Sequence, residues 1–87
     1  MELERGVVVK SIAGRDKGSF LVVLSSTADE CLLCDGKERP LARPKRKNQK
    51  HVTKTLTRLE ESQLTNDAWI RRALRVMKEE IKCPNRI

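Results

Sequence analysis

Two short apolar runs near the start of the chain flank a charged turn that carries two glycines. The runs span residues 7–9 and 20–24 and are rich in valine and leucine, and the turn, residues 14–18, reads G-R-D-K-G. Such side chains favour a pleated, largely buried surface, and glycine adopts the positive φ that a tight reversal requires. The pattern predicts a β-hairpin whose tip carries the cations Arg15 and Lys17.

Two more strands are predicted between this hairpin and the middle of the chain. Residues 30–34, E-C-L-L-C, are predicted to form a third strand, and the Asp35-Gly36 pair that follows is typical of a two-residue hairpin turn. Residues 37–41 are therefore expected to return antiparallel as a short fourth strand. Pro40 would confine that strand to a sheet edge, because proline cannot donate to the ladder.

The apolar period changes to a helical one in the last third of the chain. Asn66 offers a polar cap and Pro84 follows the end of the pattern, so an amphipathic helix is predicted over residues 66–82. Trp69 lies beside the apolar stripe and is expected to be a packing anchor. We expect this helix to pack on the rest of the domain, and binding of a partner protein is the alternative. The apolar positions at helical spacing are Ile70, Ala73, Leu74, Met77 and Ile81.

Composition limits what a chain of 87 residues does. A domain of this size buries only about 60% of its unfolded surface, so we expect a binding surface rather than an enclosed active site. The net charge of +7 favours a polyanionic partner. No run reaches the roughly 18 apolar residues that span a bilayer, and no secretory leader is recognisable, so we expect a cytoplasmic protein that does not enter membranes.

Most of the positive charge lies in one block, residues 37–58. The block contains nine basic residues and one acidic residue, a net charge of +8, so the rest of the chain carries −1. Pro40 and Pro44 stiffen the backbone around the basic cluster of residues 43–50. We interpret the block as the main nucleic-acid contact, and a solvated basic linker is the alternative.

Cys31 and Cys34 form a C-L-L-C pair, for which three interpretations compete. A structural zinc site needs four ligands, and the remaining candidates, His51 and Cys83, lack paired spacing. A redox pair normally lies at a helix N-terminus, whereas this pair lies in a predicted strand. Residues three apart in a strand face opposite sides. We therefore expect core thiols, with no zinc and no other cofactor.

The hairpin resembles the KOW motif of ribosomal proteins and transcription factors. The matching features are the run at residues 7–9, the G-R-D-K-G loop ending in Gly18, and the run at residues 20–24. Within that family the chain is similar to the large-subunit ribosomal protein of the fourteen-e type and to its small bacterial relatives. The resemblance implies a mainly β fold, a small SH3-like barrel with a C-terminal α-helix, in which the segment at His51 forms the last strand. A hairpin that merely has a basic turn is the alternative.

The resemblance also implies a domain plan and a function. The KOW barrel would occupy residues 1–58, including the basic segment 37–58, and a linker and amphipathic helix would occupy residues 59–87. The implied protein is a non-enzymatic RNA-binding protein associated with the ribosome, with structured ribosomal RNA and ribosomal proteins as partners. A KOW protein-interaction module of the transcription or translation machinery is the alternative. A thiol oxidoreductase is a third class, but no acid, base and nucleophile constellation supports it.

Phosphate contacts are the expected mode of RNA binding. The two aromatic residues, Phe20 and Trp69, are both predicted to be core, which argues against base stacking. Lysine, arginine and the backbone amides of glycine turns would then recognise folded RNA, with arginine favoured for bidentate contacts. The strand-held tip is expected to discriminate among RNAs, and the flexible cluster at residues 43–50 to supply general affinity. The candidate RNA-binding residues are Gly14, Arg15, Lys17, Gly18, Arg39, Arg43, Lys45, Arg46, Lys47 and Lys50.

Overall fold

The computed structural model describes residues 3–82, with side chains described through Met77. The strands are Val7–Ser11 (β1), Phe20–Ser26 (β2), Glu30–Cys34 (β3), Lys45–Asn48 (β4) and Val52–Arg58 (β5), and the helix is Asp67–Lys82 (α1). Short 3-10 turns lie at Gln49–His51 and Glu61–Leu64. The strands form one antiparallel sheet in the order β4-β3-β2-β1-β5. The fold is mainly β, a small SH3-like barrel with a C-terminal α-helix, as predicted.

The central strands β1 and β2 are buried on both faces. Successive side chains of a strand point to opposite faces, and Val8 and Val22 belong to the core cluster under α1, whereas Val9 and Leu21 belong to a second cluster on the other face. Strands covered on both sides have continuous apolar runs instead of alternating ones. This explains why the hairpin that the sequence predicts consists of unbroken runs of valine and leucine.

Two irregularities in the strand pairing allow the sheet to curve. The register between β1 and β5 shifts between Val7 and Val9, and the register between β2 and β3 shifts between Val23 and Ser25. An extra residue in one strand bends it and increases its twist. Five short strands can therefore wrap around the second core cluster.

Helix α1 covers the outer face of the sheet through the predicted apolar stripe. Ile70, Leu74 and Met77 are buried in the cluster that contains Val8. The helix begins at Asp67, one residue after the predicted start, because Asn66 caps it: the Asn66 side-chain oxygen accepts a hydrogen bond of 3.0 Å from the Trp69 backbone N–H. The side chain of Ile81, the last predicted residue of the stripe, and Pro84, predicted to follow the end of the helix, lie outside the part of the chain that the structure describes.

The prediction that Trp69 is a packing anchor is wrong. Its side chain is 49% exposed, and the Arg72 guanidinium lies 5.9 Å from the centre of its ring. Successive helical residues are about 100° apart around the axis. With Ile70 at the centre of the buried stripe, Trp69 is therefore rotated to its edge and faces solvent.

The segment between β3 and β4 is a connector held against the helix, so the predicted fourth strand at residues 37–41 is wrong. Asp35 Oδ1 accepts hydrogen bonds of 2.8 Å from the backbone N–H groups of Lys37 and Arg39, which closes a local turn. The Leu41 N–H donates to Asp67 Oδ1 at 2.8 Å. Because these backbone groups bond locally or to the helix, the fourth strand forms later, at Lys45–Asn48.

Gly36 sits where the connector touches the first turn of α1. It has a φ of 75° and is buried, and its carbonyl accepts a hydrogen bond of 3.0 Å from the Arg71 guanidinium. A Cβ at this position would overlap the Asp67 carbonyl oxygen and lie 3.1 Å from the Arg71 backbone nitrogen. The connector therefore reaches the helix only because this residue has no side chain.

Leu59 and Leu64 join the barrel to the helix through a shared core. Both lie in the segment predicted as a linker, and both are buried in the cluster that contains Ile70 and Leu74.

No helix within residues 3–82 is long and apolar enough to cross a membrane.

We predict that Gly36→Ala destabilises the domain by about 2 kcal/mol or more, because it adds a steric overlap to the strain of positive φ. Gly18→Ala is the matched control, since Gly18 has a φ of 93° but, apart from its chain neighbours, no atom of the described residues lies within 4 Å of an added Cβ. It should cost only the conformational strain of about 1–2 kcal/mol. Urea denaturation of the two variants measures the difference, and equal destabilisation would contradict the proposed close contact.

Candidate nucleic-acid interface

The loop between β1 and β2, residues 12–19, forms the predicted hairpin tip. Gly14 and Gly18 have φ values of 85° and 93°, as the turn prediction requires. The Gly18 N–H donates to the Ser11 carbonyl at 2.8 Å, which closes the loop at its base. Arg15 and Lys17 are exposed at the tip. The loop is therefore an ordered platform that carries two cations.

Lys47, on β4, fastens this loop to the sheet. Its ammonium donates hydrogen bonds to Ser11 Oγ (2.8 Å), the Ala13 carbonyl (2.8 Å) and Asp16 Oδ1 (2.6 Å), and its side chain is only 6% exposed. An ammonium has three protons to donate, and all three are used here. The structure therefore places Lys47, a predicted RNA-binding residue, inside the protein, where it supports the loop and is almost fully buried.

Asp16 is the acidic residue of the tip, and it turns inward. Besides Lys47, it accepts hydrogen bonds from Ser11 Oγ (2.8 Å) and from the Lys45 ammonium (3.0 Å). Burial alone would raise the pKa of the Asp16 carboxyl, but the hydrogen bonds from Lys47, Ser11 and Lys45 hold that pKa well below its usual range. The negative charge of the loop is thus neutralised internally, while Arg15 and Lys17 point to solvent.

Residues 43–50 do not form one flexible basic cluster, contrary to the sequence prediction. Lys45–Asn48 is strand β4 and Gln49–His51 is a 3-10 turn. Lys45 and Lys47 face Asp16, whereas Arg46 on the opposite face lies 3.9 Å from Glu30. The Ile12 N–H donates to the His51 carbonyl at 2.9 Å, so exposed Lys50 lies beside the base of the tip loop.

The structure therefore divides the predicted site residues between two places. Arg15, Lys17, Lys45 and Lys50 surround the barrel end at which the tip loop meets β4 and the 3-10 turn. Arg39 and Arg43 are exposed on the connector at residues 35–44, which contacts the start of α1. Arg46 lies on the outer face of β4.

Sequence reasoning missed a second basic surface, on the helix. A groove of about 690 Å³ runs between α1, the connector and the start of β2, and its lining includes Lys37, Arg71, Arg72, Arg75, Phe20 and Asp35. The signal was present, because the three arginines recur on the polar side of the amphipathic helix pattern. The total charge hides this signal, because the chain outside residues 37–58 carries a net charge of only −1.

The two described cysteines are core thiols, as predicted. Cys31 belongs to the cluster inside the barrel and Cys34 to the cluster under α1, so they face opposite sides of β3. Burial raises the pKa of the Cys31 thiol, and raises the pKa of Cys34 to about 11. Neither thiol has the lowered pKa of a nucleophile or a redox pair. Within residues 3–82, no three His, Cys, Asp or Glu side chains come together as a metal site.

Comparison with protein-family models and with curated protein sequences found no match.

We predict that Lys47→Met destabilises the domain by about 2–4 kcal/mol, because the partly buried Asp16 carboxylate loses its closest cation. Arg46→Met is the control on the neighbouring position of the same strand, and its exposed side chain should matter by no more than about 0.5 kcal/mol. Denaturant unfolding measures both changes. The double variant Asp16→Asn/Lys47→Met should be more stable than the sum of the single changes indicates. Additive effects would contradict a direct interaction.

We predict that the Asp16 interaction loses its stabilising effect in acid. The pKa of Asp16 is lower in the folded than in the unfolded protein, so its contribution is complete above the unfolded value of about 4 and declines as the pH falls below it. The difference in unfolding free energy between wild type and Asp16→Asn should be about 2 kcal/mol or more at pH 7. It should shrink steadily between about pH 4 and pH 2, because protonation of Asp16 removes its interaction with Lys45 and Lys47. The other carboxyl groups titrate in both proteins, so their effect cancels in the difference. A difference that does not vary with pH would refute the assignment.

Proposed function

We propose that this protein is a non-enzymatic RNA-binding module of the KOW type that acts in the cytoplasm on structured RNA, with ribosomal RNA as the favoured target. The KOW-like residue pattern at the hairpin and the SH3-like barrel support the family assignment. The net charge of +7 supports a polyanionic partner. Buried Cys31 and Cys34 thiols with raised pKa values favour a binding role over thiol chemistry.

The observation that carries the proposal is the arrangement of charge at the tip loop. Asp16 is neutralised by Lys45 and Lys47 within the protein, so Arg15 and Lys17 face solvent without their neighbouring carboxylate. Both sit on a loop whose backbone is fixed by hydrogen bonds at its base and by Lys47 beneath it. Cations held in a fixed spacing suit the regular phosphate positions of folded RNA.

A protein-interaction module is the second candidate, and exposed apolar side chains on α1 favour it. Trp69 is 49% exposed and Val76 is 50% exposed, and the two are seven positions apart, on the same side of the helix. A ribosomal or transcription protein would then cover this side of α1. Such binding would depend mainly on apolar burial and would survive high salt.

We predict that Arg15→Gln/Lys17→Gln reduces the preference of the protein for its target RNA over generic RNA. It should also flatten the dependence of the logarithm of affinity on the logarithm of salt concentration, by up to ~0.7–0.9 for each phosphate that the variant no longer neutralises. Lys54→Gln/Arg58→Gln, on β5, is the control with the same change in charge. Fluorescence anisotropy over a salt series, using target RNA recovered by crosslinking in cells, measures both quantities.

Each outcome of this experiment distinguishes between the candidates. RNA binding that is equal at low and high salt would contradict the proposed phosphate contacts, and the absence of RNA binding would contradict an RNA-binding function and favour the protein-interaction module. Retention of full preference in the tip variant would remove the discriminating role of the loop. Equal weakening in the tip and β5 variants would indicate that only the total charge matters. An unchanged denaturation midpoint would confirm that the tip variant is folded.

A further inference from the structure

The groove beside α1 has cations on both of its walls. Arg71, Arg72 and Arg75 line it from the helix, and Lys37 lines it from the connector. Asp35 also reaches the groove, but its Oδ1 already accepts two backbone hydrogen bonds. Four cations and one occupied carboxylate give the groove a net positive charge. Guanidinium groups bind phosphate oxygens in pairs, so a phosphate-bearing ligand fits these walls.

The floor of the groove is apolar and includes an aromatic ring. Phe20, which was predicted to be core, is only half-buried, and it forms this floor together with the buried Leu74 of the helix. Lys10 Nζ lies 5.9 Å from the centre of the Phe20 ring. The volume of about 690 Å³ is within the range of sites that hold small molecules. An apolar floor between cationic walls matches a nucleotide, which has a flat base and charged phosphates. A peptide of acidic residues alone offers carboxylates but no flat ring for the floor.

The groove is continuous with the tip loop along the chain. Ser19 and Phe20 line the groove, and they directly follow Gly18, the last glycine of the tip. Ser19, at the groove, lies two positions after Lys17 in the chain, so an RNA bound at the tip can extend toward the groove.

We propose that this groove binds an unpaired nucleotide next to the folded region of the RNA, an inference that rests on the RNA-binding function proposed above. Arg75 and Lys37, on opposite walls, contact the phosphates on either side of the nucleotide, and the base lies on the floor against Phe20. Arg71 is committed in part to the fold through its hydrogen bond to Gly36. The tip and the groove together recognise a junction between paired and unpaired RNA.

The test compares two RNAs that differ only in an unpaired segment, a blunt hairpin and the same hairpin with a short uridine extension. Wild type should bind the extended RNA at least ~5-fold more tightly, from base stacking and added phosphate contacts. Lys37→Gln/Arg75→Gln should abolish this ratio, and Phe20→Leu, which keeps an apolar side chain in the core, should reduce it. Arg15→Gln/Lys17→Gln removes the same charge and should weaken binding to both RNAs while keeping the ratio.

The ratio of the two affinities is the readout, because a general electrostatic weakening cancels in it. A ratio near one for wild type, or an unchanged ratio in the Lys37/Arg75 variant, would overturn the groove assignment while binding to the blunt hairpin still supports the proposed function. Failure of wild type to bind either hairpin would contradict the proposed function itself.

A direct measurement tests the groove independently of hairpin binding. Amide chemical shifts of isotope-labelled wild type are followed during titration with a short oligouridylate and, separately, with an oligoglutamate peptide. Shifts at Ser19, Phe20 and residues 71–75 with oligouridylate alone would support the proposal. Shifts with the peptide but not with oligouridylate would make the groove a peptide site and overturn it, and so would the absence of shifts there with oligouridylate.

Discussion

The buried ammonium of Lys47 is the interaction on which the tip loop depends. A charged group that is 6% exposed is costly unless each of its protons has a partner. Lys47 finds these partners on β1 and in the loop, at Ser11, Ala13 and Asp16, more than thirty residues earlier in the chain. Only a loop folded down onto β4 brings these three oxygens together. The chemistry of one side chain therefore selects the loop conformation.

The same interaction determines which charges are exposed on the tip loop. In the sequence, residues 37–58 form one basic block, and the tip contains one acidic residue, Asp16, between the cations Arg15 and Lys17. In the structure, Asp16 lies against Lys45 and Lys47, and Arg58 pairs with Glu4 at 2.7 Å. Exposed pairs such as Arg58 and Glu4 remain screened by water, whereas the pairs at Asp16 are largely enclosed. The surface charge therefore depends on pairing in space rather than on counts along the chain.

Features that depend on local pattern were predictable, and features that depend on tertiary partners were not. The hairpin, the α1 stripe around Ile70 and the opposite orientations of Cys31 and Cys34 follow from strand and helix periods alone. The Asp35-Gly36 pair has the composition of a hairpin turn, but the helix takes up its neighbouring backbone groups, which no local signal reveals. Strand alternation separates Lys47 from Arg46, yet which of the two is buried depends on where Asp16 lies.

The hydrogen bonds that fix the tip loop in the folded protein lower the entropy cost of binding at the loop. Fixing the backbone of one residue costs about 1–2 kcal/mol, so a loop that became ordered only on binding would lose that amount of affinity for each residue. Here the Lys47 hydrogen bonds and the closure between Gly18 and Ser11 order the loop during folding. Under the proposed function, Lys47 is a positioning residue for RNA binding, although its ammonium lies inside the protein. Its contribution is to the geometry of Arg15 and Lys17, and these two side chains supply the charge.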